Sequence, residues 1–147
     1  MTTPTEWMKD EYNDLVSKGF DWKPPVITGA SAARCIIDGS EKIMLCANNY
    51  LNLSTHPKVR QAAIDAVKSH GAGSGSVRPI AGNMDIHNQL EETIARFKKR
   101  EAALYYQTGF AVNSGLIPQL AGKNDAIISD QLNHGSIIDG VRLSGVK

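Results

Sequence analysis

Two short apolar runs, each followed closely by a helical pattern, limit what this chain can fold into. AALYYQ, residues 102–107, leads into TGFAVNSGLIPQLAG, and DAIISD, residues 125–130, leads through QLN into HGSIIDGVRLSG. Runs this short and this continuously apolar suit strands covered on both faces rather than half-exposed strands, which alternate. Strands separated by a helix are joined as parallel neighbours are, because a parallel pair needs a long crossover. The pattern therefore predicts an α/β fold: a mainly parallel sheet flanked by helices.

Upstream, Trp7, Met8, Tyr12, Leu15 and Val16 recur at helical spacing and predict a helix over residues 5–18. Pro24 and Pro25 make residues 19–29 an extended connector, so residues 1–30 read as an N-terminal arm and residues 31–147 as the α/β domain. ARCIIDGSEKIMLCANN holds two apolar runs around Asp38 and Gly39, a hairpin signal. Pro57 opens a predicted helix that Gly71 closes, with Val59, Ala62, Ala63, Ala66 and Val67 on one face. After the glycine-rich GAGSGSVRPIAGN, residues 84–100 predict another helix with Ile86, Leu90, Ile94 and Phe97 on its apolar face.

Charge and cysteine usage narrow the function classes. Sixteen basic residues against fifteen acidic ones, spread evenly, give +1 and no basic stripe, so a nucleic-acid partner is not expected. The N-terminus has no apolar core behind a basic start and no segment is long enough to span a bilayer, which predicts a cytoplasmic protein without membrane partners. Cys35 and Cys46 lie in apolar surroundings outside any ligand spacing and read as reduced core residues. His56, His70 and His87 show no ligand spacing either, so no metal is expected.

Two strand-to-helix junctions carry the chemistry. In QTGF, residues 107–110, Gly109 lets a backbone approach an anion at a helix N-terminus, with the Thr108 hydroxyl adding a bond. Thr108 as a plain N-cap is the competing reading. In NHGS, His134 stands at the second junction, on the same sheet edge where α/β ligands bind, and its ring can stack on a planar heteroaromatic. The alternative makes Asn133 the cap and His134 an ordinary first-turn residue. GAGSGS fails the dinucleotide fingerprint, since Ser76 occupies the sixth position and the loop follows a helix. Its small residues suit close approach to a ligand or partner, with Arg78 as an anion contact, or simply a flexible loop.

CANNYLNL, GAGSGSVRPIAGNMDIHNQLE, ALYYQTGFAVN and SDQLNHGSIIDGVRLS, in that order and with those gaps, resemble the α-oxoamine synthase family of pyridoxal-phosphate enzymes. The resemblance implies the N-terminal portion of a fold type I large domain over residues 31–147, with pyridoxal 5'-phosphate as cofactor. Among members it is nearest to 2-amino-3-ketobutyrate coenzyme A ligase (glycine C-acetyltransferase), with 8-amino-7-oxononanoate synthase next. It implies an acyl transfer that condenses glycine or another small amino acid with an acyl-CoA.

Carried over residue by residue, the resemblance gives Thr108, Gly109 and Phe110 to the cofactor phosphate and His134 to the cofactor ring and the chemistry. Asn48 and Tyr50, with Ser76 and Arg78 in the 74–78 loop, fall near the substrates. A homodimer with shared active sites is also implied. Asn52 replaces the family's usual glycine. None of the ten lysines sits in the family's lysine motif. The Schiff-base lysine, the aspartate facing the pyridine nitrogen and the C-terminal domain are expected beyond Lys147, leaving this chain alone inactive. The competing readings are a noncatalytic partner module and an unrelated nucleotide-binding domain.

Overall fold

A computed structural model describes residues 3–146. These form two compact units that meet in sequence at Ala72 and Gly73.

The first unit opens with helix α1, Glu6–Ser17. It ends where Gly19 takes φ +72° and the amides of Gly19 and Phe20 close on the carbonyls of Val16 and Leu15. A three-stranded antiparallel sheet follows: β1 Ile27–Thr28, β2 Arg34–Ile37 and β3 Ser40–Ile43, in that order. Cys35 faces Lys42 and Ile37 faces Ser40, so the hairpin loop is Asp38-Gly39. Both loop residues have positive φ, 48° and 75°, as a two-residue turn of the right twist requires. Asp38 also binds the connector, accepting the Val26 amide at 3.0 Å and donating its own to the Val26 carbonyl at 3.0 Å. Helix α2 is Pro57–His70, with proline at its first position and Gly71 beyond its end.

The second unit begins with the glycine-rich loop, whose end is a π-turn over Arg78–Gly82. The amides of Ile80, Ala81 and Gly82 all converge on the Val77 carbonyl. Gly82 is needed there, because a Cβ would collide with the Ser76 carbonyl oxygen. Helix α3, Asp85–Lys98, comes next, then α4, Gly109–Leu120, and α5, Gly135–Ser144. Helices α4 and α5 pack at a small-residue seam: a Cβ on Gly140 would run into the Asn113 carbonyl oxygen and press on Ile117.

The runs 102–106 and 125–129 carry no ladder partner, and the sheet among the described residues is antiparallel rather than parallel. A strand exists only with a neighbour to bond, and residues 3–146 supply none for either run. Tyr106 instead lies against α4 at Gly115. Apolar burial is thin throughout. The accessible surface is 12552 Å², against about 8,900 Å² for two compact halves of this mass. Among the described residues the buried apolar side chains are Cys35 in the first unit and Ala95 in the second, whereas Phe97, expected on the covered face of α3, is 80% exposed. Cys46, also expected inside, is exposed, and both cysteines are free. No helix among the described residues is long and apolar enough to cross a membrane.

Candidate functional site

Each strand-to-helix junction ends in a side-chain cap. Thr108 takes extended backbone angles and its Oγ1 accepts the Ala111 amide at 3.0 Å. The first intrahelical bond runs from Val112 to the Thr108 carbonyl, so the amides of Gly109 and Phe110 point out of the helix end. A Cβ on Gly109 would meet nothing within 4 Å, which leaves that cradle open to a bulky anion. Thr108 is thus the N-cap of α4, as the competing reading of QTGF had it, and the two amides that follow it face away from the helix.

His134, and not Asn133, is the N-cap of α5. The loop before it is set by Asp130, whose Oδ1 accepts the Leu132 amide at 2.9 Å, and by Asn133, whose amide donates back to Ser129 Oγ at 2.6 Å. His134 Nδ1 lies 3.1 Å from the Ser136 amide nitrogen and 2.7 Å from Ser136 Oγ. Ser136 is only 2% exposed, and its hydroxyl also receives the Asn113 side-chain amide at 2.9 Å. Asn113 belongs to α4, so the histidine is wired across the helix seam. Asn113 meets both Ser136 and Gly140, while Ile117, one turn further along, meets Gly140. The contacts advance in the same sense, which brings both helix N-termini to one end of the pair.

Beside α4, a cleft of about 780 Å³ is lined by Ser74, Ser76, Arg78, His87, Tyr105 and Gln107 among others. Ser76 and Arg78 therefore share one cavity, at the base of the Thr108 junction. The Arg78 guanidinium is engaged within it: it forms a fork with Glu91 at 2.5 and 3.0 Å and reaches Asn83 Oδ1 at 2.9 Å. The fork bonds hold the Glu91 carboxyl down at about 2, assisted by the Tyr105 amide at 2.9 Å. The Arg78 guanidinium is raised in turn by its bonds to Glu91. This clamp ties the glycine-rich loop to α3 and to the 102–106 run. His87 stacks on Tyr105 with centroids 6.5 Å apart, and its Nδ1 accepts the Met84 amide at 3.1 Å.

Asn48 and Tyr50 lie in the first unit, linked by a 3.5 Å bond from the Tyr50 hydroxyl to Asn48 Oδ1. Tyr50 borders a recess of about 220 Å³ with Ala33, Met44 and Leu45. The residue that organises this loop is their neighbour Asn49, absent from the sequence reading. Its amide reaches the Ser31 carbonyl at 3.1 Å and Ser54 Oγ at 2.7 Å, and its oxygen accepts the Ser54 amide at 3.3 Å. Only the unusual AsnAsn pair hinted at it.

Residues 40–147 match the aminotransferase class I and II family. The chain belongs to that family. Within it, the α-oxoamine synthase resemblance holds: the chain is 50% identical over 143 residues to 8-amino-7-oxononanoate synthase of Symbiobacterium thermophilum, 97% of this chain and 36% of the relative. To the enzyme of the same name from Treponema denticola it is 48% identical over 139 residues, 95% of this chain and 35% of the relative. The fold type I architecture holds as well. A lysine-to-alanine variant of serine palmitoyltransferase from S. paucimobilis, solved with a bound pyridoxal phosphate–myriocin aldimine, superposes with TM-score 0.83 at 27% identity over 97% of this chain and 36% of that one. The Sphingomonas wittichii serine palmitoyltransferase gives 0.80 at 29% over 99% and 37%. This chain spans about a third of the length of these relatives. The family's cofactor is pyridoxal phosphate. The Symbiobacterium and Treponema relatives carry the name ranked second from the sequence, 8-amino-7-oxononanoate synthase, rather than the one ranked first, glycine C-acetyltransferase.

Proposed function

We propose that the chain supplies the phosphate grip and ring-facing histidine of a pyridoxal-phosphate α-oxoamine synthase that makes 8-amino-7-oxononanoate or a close analogue. The observation that carries the reading is the pairing of two N-caps on parallel-running helices: an open anion cradle at Thr108, Gly109 and Phe110, and an imidazole at His134. The cradle fits a phosphate monoester because it offers outward amides, a helix N-terminus and no side chain at Gly109. When bound, the cofactor ring would supply the electron sink that stabilises negative charge at the amino-acid Cα.

The chain's own residues then have separable tasks. Thr108 fixes the start of α4, so the Gly109 and Phe110 amides are held ready before the phosphate arrives. His134 presents a flat ring whose Nε2 hydrogen can donate to a substrate carboxylate or to the oxygen that gains charge when a thioester is attacked. Ser76 lines the neighbouring cleft, and the Arg78 fork with Glu91 keeps its loop in place; both serve the acyl substrate's approach. Asn48 and Tyr50 are assigned to the amino-acid side on the family pattern, and shared active sites in a homodimer are part of the same reading.

The named product indicates the substrates. Disconnecting it between C7 and C8 leaves a seven-carbon dicarboxylic acyl group and a two-carbon amine, which is alanine less its carboxylate. The new bond joins Cα to the acyl carbon, the thioester C–S bond breaks to release the thiol, and the carboxylate leaves as carbon dioxide. The full-length native protein, loaded with pyridoxal phosphate, is expected to release thiol from a seven-carbon dicarboxylic acyl-CoA only when alanine is present. Turnover with glycine and acetyl-CoA alone would restore the other reading, and failure to bind pyridoxal phosphate would end both.

A further inference from the structure

We infer that Asn113 and Ser136 are positioning residues that lock His134 in a single neutral tautomer, with the proton on Nε2. This inference rests on the proposed placement of His134 against the cofactor, but its geometry stands without it. A backbone amide can only donate, so the Ser136 N–H at 3.1 Å requires a lone pair on His134 Nδ1. The Ser136 hydroxyl, 2.7 Å from the same nitrogen, must then donate as well. With its one proton committed, Ser136 Oγ can only accept from α4, and Asn113 Nδ2 stands 2.9 Å away to donate. A reversed Asn113 amide would set two acceptors face to face.

The relay has one consistent proton arrangement, and it ends with Nε2 as the proton-bearing nitrogen. It is also mechanically anchored. Asn113 presses its carbonyl on Gly140 at the helix seam, and Ser136 is 2% exposed. The imidazole itself is exposed, so its protonation pattern is fixed from the buried side while its working edge stays open. Serine inside a first helical turn ordinarily needs no such wiring. A cap alone would be satisfied by the backbone amide.

The test uses the full-length protein in its cofactor-free form, with nitrogen-labelled histidine, and reads the His134 tautomer by long-range proton–nitrogen correlation. The wild type is expected to show an unprotonated Nδ1 and a protonated Nε2. Asn113→Asp, nearly isosteric, replaces the donor by an acceptor and draws the Ser136 proton away, so a substantial Nδ1-protonated population should appear. Ser136→Ala should produce a weaker change in the same direction, because it removes the side-chain donor to Nδ1 without putting an acceptor in its place. In the loaded enzyme, Asn113→Asp should lower kcat about tenfold or more with the pyridoxal-phosphate affinity within about threefold of wild type. A wild-type His134 protonated on Nδ1 would overturn the inference even if no variant folded. So would an Asn113→Asp protein with native unfolding behaviour and an unchanged tautomer. If the wild type shows the predicted tautomer yet binds no pyridoxal phosphate, the functional reading fails while the relay stands.

Discussion

His56 and His134 each stand at the N-cap of a helix and accept, through Nδ1, the amide two residues on: Lys58 at 3.3 Å and Ser136 at 3.1 Å. Both side chains are exposed. Behind His56 there is a proline at the first helical position and nothing further that its ring needs. Behind His134 there is a buried hydroxyl, and behind that an amide from another helix. Histidine is not a favoured cap, so the shared bond is the less informative part of either site. What separates a helix start from a candidate catalytic ring is the next pair of partners, because those add a second donor to Nδ1 and tie the ring to another helix.

The sharpest way to break this comparison is to remove both rings in the full-length enzyme. His134→Ala is expected to lower kcat about a hundredfold, the scale of losing one aimed donor. His56→Ala should leave kcat within about twofold and lower stability by about 0.5–1 kcal/mol, the scale of a lost cap. Parallel steady-state kinetics and denaturant melts decide it. Equal catalytic losses would mean the wiring behind His134 has no bearing on function.

The second test attacks the seam that carries the wiring. Gly140→Ala puts a methyl group where the Asn113 carbonyl oxygen already lies, and backbone cannot move aside as a flexible side chain does. Overpacking of this kind costs about 1–3 kcal/mol. The denaturant midpoint should fall, and the His134 tautomer should become mixed as the Asn113 to Ser136 bond lengthens. An unchanged midpoint would show that α4 and α5 are not held by this contact.

These cases also show what the sequence could and could not reveal. The Asp38-Gly39 hairpin, the five helices and the two junctions were legible because each is a local pattern: turn chemistry, periodicity, or a glycine after an apolar run. The helix-capping role of His134 was not, since the preceding asparagine is the better cap by type. Ser136 was passed over because a serine in a first turn looks ordinary, and its partner Asn113 is 23 residues away. Asn49 escaped for the same reason, with its Ser31 partner 18 residues back. The predicted parallel strands failed to appear as ladders because pairing is a property of two segments, and periodicity describes only one. Arg78 was read as an anion contact; its partner turned out to be an anion of the protein itself, Glu91.

That internal pair gives the third test and extends the contrast between the units. In α2 the charges meet only at the surface, as in Lys68 and Asp65 at 3.8 Å, and such pairs contribute little. Glu91 is held at about 2 by the Arg78 fork and the Tyr105 amide, below the ordinary carboxylate value of about 4.3. A depressed carboxyl stabilises the fold above its unfolded value and loses that contribution as pH falls through the folded one. Wild-type stability should therefore exceed that of Glu91→Gln by a constant amount near neutrality, with the gap closing between about pH 4.5 and 2. A Glu91 difference that persists undiminished at the acid end would remove the ionic clamp as its cause.

The smallest expected effect concerns Asn52, where the family resemblance expects glycine. Its φ of 51° and ψ of 34° lie in the left-handed region, which glycine enters freely and asparagine more readily than other side chains. Two terms oppose each other on Asn52→Gly. Relief of the backbone gains up to about 1 kcal/mol, while the 3.3 Å bond from Asn49 to Asn52 Oδ1 is lost, at about 0.5–1 kcal/mol. The net change should fall within about 0.5 kcal/mol of zero. Asn52→Ala loses the bond and keeps the strain, so it should be less stable than Asn52→Gly by about 1 kcal/mol. Paired denaturant midpoints measure that difference. Equal midpoints for the two variants would mean that the loop gives up its left-handed turn once the asparagine is gone, and that Asn49, not the backbone angle at residue 52, holds the loop beside Tyr50.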